Sequence, residues 1–150
     1  IARRRRRLMR SLLDINVLIA LLDAAHVHHA RATQWLGENI RHGWASCPLT
    51  QNGCIRTLAQ PNYPNSVPAV QAAARLREAV RTVHHQFWAD DQSLLDDDLF
   101  NWTHLLGPRQ PTDAYLLALA VRRKGRFVTL DRRVPLAAVP GATAKHLVVI

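Results

Sequence analysis

The chain has 150 residues, 48% of them hydrophobic, and its 20 Lys and Arg against 11 Asp and Glu give a net charge of +9. That length suits one domain with its own apolar core, and no apolar run reaches the ~18 residues expected of a membrane-spanning helix. Two cysteines, Cys47 and Cys54, make no CxxC pair and too few cross-links for a disulfide framework, so both read as buried, reduced thiols.

The positive balance points to a polyanionic partner. Five of the charges lie in the run Arg3 to Arg7, ahead of the single methionine, Met9. Residues 1–8 are therefore expected to be an incidental basic extension and residues 9–150 the domain. The rival reading is a basic arm that grips phosphates. The apolar stretch after the arginines is interrupted by Asp14 and Asn16, unlike a secretory signal, so a cytoplasmic protein is expected.

In chain order, Ser11-Leu12-Leu13 reads as a buried strand ending in Asp14, with Asn16 as the cap of an apolar helix through Leu22. A second helix is expected over 29–41, with Ala32, Trp35, Leu36 and Ile40 at helical spacing. Trp44 to Cys47 is strand-like, and Leu49 to Leu58 follows as a helix. Residues 60–66 form a turn-rich loop. An amphipathic helix is predicted over 67–83, with Val70, Ala73, Ala74, Leu76, Val80 and Val83 on its apolar face. Gln86 to Trp88 is a short strand, and Leu99 to Leu106 a short helix headed by Asp96-Asp97-Asp98 as its cap. Thr112 to Lys124 is the strongest helix, with Pro111 near its start and Gly125 as its stop. Arg126 to Leu130 is a strand ending in Asp131, and Leu147 to Ile150 closes the set. Strands alternating with helices predict an α/β fold whose parallel sheet is covered on both faces.

The chemistry is suggested by Asp14, Asp113 and Asp131. Two follow candidate strands, and ligand sites of open α/β sheets form at the carboxyl ends of strands. Asp113 sits in the first turn of the helix that feeds the second of them. Singly, each reads as a turn or cap residue. Together they form a self-repelling cluster that a hard cation would neutralise. An oxygen-only donor set favours Mg²⁺, with Mn²⁺ as a substitute, over zinc. A basic protein with such a site reads as a nuclease. Arg56 reads equally as the partner of a site carboxylate or as a phosphate contact, and of Arg132 and Arg133, which follow Asp131 directly, one is expected to contact phosphate. His26, His28 and His29 read as a polar patch, His84 and His85 as helix-end residues, and Trp35, Trp44, Trp88 and Trp102 as packing residues.

Three segments carry a family resemblance. Leu12-Leu13-Asp14-Ile15-Asn16-Val17-Leu18-Ile19-Ala20-Leu21 resembles the opening strand and helix of PIN domains. Pro111-Thr112-Asp113-Ala114-Tyr115-Leu116-Leu117-Ala118-Leu119-Ala120 is similar to their second acidic segment, and Phe127-Val128-Thr129-Leu130-Asp131 to their third. Cys47 to Gly53 and Phe87 to Leu95 also resemble one branch of VapC toxins. The resemblance implies a PIN-like three-layer α/β/α sandwich around a five-stranded, mainly parallel sheet. It further implies Mg²⁺-dependent endoribonuclease activity through a metal-activated water, on an RNA such as tRNA or rRNA. Homodimers, a cognate VapB-like antitoxin and no membrane partner complete what it implies.

The family also places a glutamate early in the helix after the second strand. This chain offers Gln51 there, or Asn52 if the register shifts by one. Gln51 is thus a candidate catalytic residue that brings an amide and no charge. The loss of a charge leaves a second reading open, a catalytically weakened PIN-like module that binds RNA or antitoxin. A third reading is a phosphohydrolase with Asp14 as nucleophile; that class places a second aspartate where this chain has Asn16.

Overall fold

Successive side chains of a strand point to opposite faces of its sheet, and here both faces are apolar. The computed structural model describes residues 8–150; the arginine run Arg3 to Arg7 lies outside them. β1 (Ser11–Leu13) and β2 (Trp44–Ser46) are buried along their whole length. β1 pairs in parallel with β2 on one side and with β4 (Arg126–Thr129) on the other. β3 (His85–Phe87) and β5 (Leu147–Val149) add parallel edges, giving the order β3-β2-β1-β4-β5.

Alternation along the strands divides the interior in two. Leu12, Ala45 and Phe127 face one core, and Leu13, Trp44 and Val128 face the other. Four helices cover the second face: α1 (Ile15–Leu22), α2 (His29–Asn39), α3 (Pro48–Leu58) and α4 (Ala69–Val80). The first face is covered by α5 (Gln110–Arg122), packed with Trp88 and Phe100 from the segment after β3 and with Val134 and Val139 from the segment after β4. Residues Asp113 to Ala120 of α5 are all buried, as expected of a helix that is apolar all round. The result is the three-layer α/β/α sandwich expected from the sequence.

Local differences from the sequence reading have local causes. Asp14, and not Asn16, caps α1: its carboxylate accepts the Ile15 amide at 2.7 Å. α4 is shorter than predicted, beginning after Pro68, and it buries Ala72 and Leu76 while Val70 and Val83 are exposed. Over 99–106 only a 3₁₀ turn forms, Trp102–His104. There Asp96 and Asn101 accept the Asp98 and Thr103 amides through their side chains, an alternative to helical bonding. Trp44 and Trp88 are core residues, whereas Trp102 is exposed. No helix among the described residues is long and apolar enough to cross a membrane.

The end of α5 also departs from expectation. Lys124 takes the left-handed conformation (φ 57°), and its amide bonds Val121 O while the Gly125 amide bonds Ala120 O. This pair of bonds is a Schellman termination with lysine where glycine is preferred. Gly125 is required for another reason: a Cβ there would meet the Arg10 carbonyl oxygen at 2.5 Å and the Trp88 ring at 2.8 Å. Lys124→Gly is therefore expected to stabilise the protein by about 0.5–1 kcal/mol, and Gly125→Ala to destabilise it by about 1–3 kcal/mol. Urea unfolding of the two variants checks both signs.

Candidate active site

From β1 the chain proceeds outward to β2 and β3, and from β4 it proceeds the other way to β5. The carboxyl ends of β1 and β4 are thus the point where the sheet order reverses, the place where open α/β sheets leave a crevice. Asp14 follows β1, and Thr129 ends β4 directly beside it. The Thr129 hydroxyl donates to the second Asp14 oxygen at 2.7 Å. It accepts the Asp131 amide at 3.0 Å and the Asn16 side-chain amide at 3.3 Å. Asn16 in turn accepts the Leu130 amide at 3.2 Å. One hydroxyl, with its single proton and two lone pairs all used, therefore joins both strand ends and the first turn of α1.

Asp14 and Asp113 are almost fully buried, at 5% and 8% exposure. Together with Asp131 they line one cleft of about 510 Å³, with Thr57 of α3, Ile19 of α1 and Arg109 on its other walls. Burial pushes the Asp113 carboxyl up to about 7, and the neighbouring charges of Asp14 and Asp131 add to the effect, while Arg133 and Arg109 oppose it. Asp14 is also raised, by burial first, against the hydrogen bonds from Thr129 and Ile15 that favour its charged form. Asp131 is paired with Arg133, whose Nε lies 3.3 Å from the same oxygen that accepts the Arg133 amide.

This donor set fits a hard divalent cation: carboxylate oxygens only, desolvated, and mutually repelling in a way that added positive charge would relieve. Among the described residues no group of three acidic, histidine or cysteine side chains is arranged to hold an ion as it stands. Asp131 is instead engaged with Arg133. The fit therefore rests on donor chemistry and charge.

The three aspartates are brought together as the sequence suggests, and Arg133 stands beside them. The remaining candidates are placed elsewhere. Gln51 donates to Ser46 Oγ at 3.0 Å and lines a groove between α3 and α4 with Ile55, Leu76 and Arg77. Ser46 is buried and also contacts His85 Nε2 at 2.8 Å. The face of α3 that approaches α1 carries Gly53, where any Cβ would collide with Ile15, and Thr57 one turn later. At about 100° per residue, Gln51 lies some 160° around the helix from Gly53, and this turns it away from the aspartates. Asn52 is exposed, and so are Arg56 and Arg132, neither of which lines the cleft. The histidine patch and Asp96 to Asp98 form no metal group among the described residues.

Sequence reasoning missed Thr129, Thr57 and Arg109, and it gave Asn16 a cap where the side chain is a strut. Arg109 had a readable signal, because it precedes Asp113 by four residues at a helix start and so stands one turn below it. Thr129 had one as well, lying two residues before a strand-end aspartate.

Comparison with known proteins places this geometry among related chains. A family model described as PIN domain matches residues 11–141. Ribonuclease VapC44 of Mycobacterium tuberculosis is 51% identical over 139 residues, which span 93% of this chain and 98% of that protein. Ribonuclease VapC38 of the same species is 46% identical over 122 residues, covering 81% of this chain and 84% of its own length. Among solved structures, VapBC2 from Rickettsia felis bound to a promoter DNA fragment superposes with a TM-score of 0.61 at 12% identity, over 95% of this chain and 98% of that one. Mycobacterium tuberculosis VapC20, described as a Sarcin-Ricin loop cleaving toxin, gives 0.57 at 15% identity, over 88% and 98%. At those identities the two structures bear on the fold, and both support it.

Two outcomes follow from the site's electrostatics. Asp113 is raised from an unfolded value near 3.9 to about 7, so between those values the native state holds more protons than the unfolded one. The stability of the metal-free protein is then expected to fall as pH rises from about 4 through 7 and to level off above. Asp113→Asn removes its share of that dependence, leaving the part that comes from the raised Asp14, and at pH 8 it should stabilise the metal-free protein by on the order of 2 kcal/mol; thermal melts in chelator across pH check the sign. Gln51→Glu, pointing into the other groove, should leave Mn²⁺ affinity unchanged in calorimetric titration. A clear gain would return residue 51 to the aspartate cleft.

Proposed function

The chain belongs to the PIN-domain family, in its VapC-type ribonuclease branch, and on that premise we propose that it is a divalent-metal-dependent endoribonuclease toxin acting at the Asp14–Asp113–Asp131 cleft. The observation that carries the reading is the meeting of three carboxylates with two guanidinium groups, Arg109 and Arg133, at the point where the sheet order reverses. Carboxylates alone would repel a phosphodiester. The arginines supply the attraction, and Asp14, Asp113 and Asp131 would hold a cation such as Mg²⁺ or Mn²⁺. When bound, that ion supplies Lewis-acid stabilisation of the phosphate and lowers the proton affinity of a nearby water.

The chain's own groups divide the remaining work. Asp14 is fixed from both sides by the Ile15 amide and the Thr129 hydroxyl, so its free lone pairs have one direction. Asp113 projects from a helix whose body is core, which sets its position as firmly. Asp131 is the adjustable member, since its partner Arg133 is largely exposed and can exchange a carboxylate for a phosphate. Burial of Asp14 and Asp113 keeps bulk water from competing for the reacting phosphate. The partners on this reading are an RNA substrate and a small VapB-type antitoxin that silences the toxin.

One observation favours a second reading. Among the described residues no fourth carboxylate lines the cleft, as a catalytically weakened, RNA- or antitoxin-binding module would also show. Cleavage separates the two. Induced wild-type protein should generate new RNA 5′ ends, mapped by sequencing, that depend on Mg²⁺ or Mn²⁺ in the purified reaction. Asp14→Asn, Asp113→Asn and Asp131→Asn should each lower that cleavage by about 100-fold or more while retaining the native circular dichroism spectrum. Undiminished cutting by all three variants would remove the aspartates from the chemistry, and binding without cutting by the wild type would leave the module reading.

A further inference from the structure

The aspartate cleft does not end at the aspartates. A second lobe of about 290 Å³ adjoins it, lined by Gly107, Gln110 and Arg133. The two lobes share Pro108, Arg109, Asp113 and Asp131 as their common wall. On one side of that wall Asp14 adds a third carboxylate to the shared pair, and on the other Arg133 adds a second guanidinium to the shared Arg109. Among the described residues no carboxylate forms an ion pair with Arg109. The only ion pair of Arg133 there is with Asp131, and the Arg133 side chain is 77% exposed. A pair so open to solvent contributes little to stability and is readily exchanged.

Resting on the ribonuclease reading above, we infer that Arg109 and Arg133 form a second phosphate subsite, which holds the RNA backbone phosphate adjacent to the one cut at the aspartates. A nucleic-acid strand is continuous, so a phosphate bound at the acidic wall delivers a neighbour to one side or the other. The lobe lined by Arg109 and Arg133 is the better side for it, because there the guanidinium groups equal the carboxylates in number, whereas on the Asp14 side the carboxylates outnumber them. Each guanidinium offers a planar fork matched to phosphate oxygens, and Arg109 comes to the lobe unpaired. Arg109 also stands one helical turn below Asp113, at the head of α5. The spacing between the phosphate held and the phosphate cut is thereby fixed by the rigid start of one helix. The subsite reads backbone charge and not base identity, so it sets the grip on the strand and leaves the choice of cut position to other contacts.

The test is binding of a short, labelled single-stranded RNA to the full chain carrying Asp14→Asn, in chelator, followed by fluorescence anisotropy over a salt series. Each lost phosphate contact should flatten the slope of log affinity against log salt by about 0.7. Arg109→Ala and Arg133→Ala should each show that loss, the double variant should show about twice as much, and Arg109→Lys should keep most of the slope. Lys145→Ala is the control, because Lys145 precedes β5 and so lies at the amino end of the parallel sheet, away from the cleft at its carboxyl end. With Asp14 restored and Mg²⁺ present, Arg109→Ala should raise KM and leave kcat within about twofold. An Arg109→Ala slope equal to that of the Lys145→Ala control would overturn the subsite. That failure is distinct from failure of the ribonuclease reading, in which the wild type would not cut RNA even though the arginine variants altered its binding.

Discussion

Parallel pairing of β1 with β4, with Leu12 opposite Phe127 and Leu13 opposite Val128, is what every functional feature of this protein depends on. The two strands come from opposite ends of the chain, and their pairing is held by apolar side chains on both faces of the sheet. Because the side-chain period of a strand is two, a slip of one residue would send each side chain into the core shaped for its neighbour, so close packing on both faces fixes the register. Asp14 and Asp131 are carried to the same end of adjacent strands as a consequence. The Asp14 amide bonds the Val128 carbonyl at 2.9 Å, so the ladder runs up to the aspartate itself. The Thr129 hydroxyl then turns that backbone register into side-chain geometry.

The same arrangement is electrostatically costly. Three carboxylates in one partly desolvated cleft oppose folding in their ionised form, and the raised Asp14 and Asp113 express that opposition. The fold tolerates it because the surrounding structure is apolar and over-determined: β1 is wholly buried and α5 is sheathed on all sides. Two arginines partly offset the charge without neutralising it. A site left fully neutral by its own arginines would have little affinity for a cation. A site with no arginine would repel phosphate. The observed balance, with one guanidinium paired and one free, avoids both extremes.

The parts of this design that were legible in the sequence were those with a local signature. Two short apolar runs ending in aspartate, and an apolar helix with Asp113 in its first turn, suffice to propose the strands, the helix and the meeting of the acids. What was not legible depends on which side of an element faces which neighbour. Gln51 and Gly53 differ by two positions on one helix, and only the packing of Gly53 against Ile15 decides that Gln51 faces α4. The apolar pattern over 67–83 contains two valines that the fold leaves exposed: Val83 lies beyond the end of α4 at Val80, and Val70, two positions from Ala72, is turned away from the buried face of Ala72 and Leu76. The helix expected over 99–106 failed against side-chain bonds of Asp96 and Asn101, which satisfy backbone amides one at a time. Arg109 caps α5 one turn before Asp113, and only that spacing from an acid already identified marks it.

α5 ties these observations together. Its first turn carries Asp113, its cap residue is Arg109, and from Ala114 to Ala120 it is core. Its far end is locked by the Schellman bonds of Lys124 and Gly125 and by the close approach of Gly125 to the Arg10 carbonyl. A helix fixed at its end and along its length has little freedom to slide, so the acid and the base at its head keep their separation. Ends of helices ordinarily fray. Here the functional end projects from a body that cannot move without opening the core, and the distance between an acidic and a basic subsite becomes a property of packing. Adjustment is left to Arg133, whose side chain is exposed. A site that must first admit a charged strand and then hold it in register needs that division between groups set on a rigid helix, Asp113 and Arg109, and an exposed guanidinium, Arg133, that can change partners.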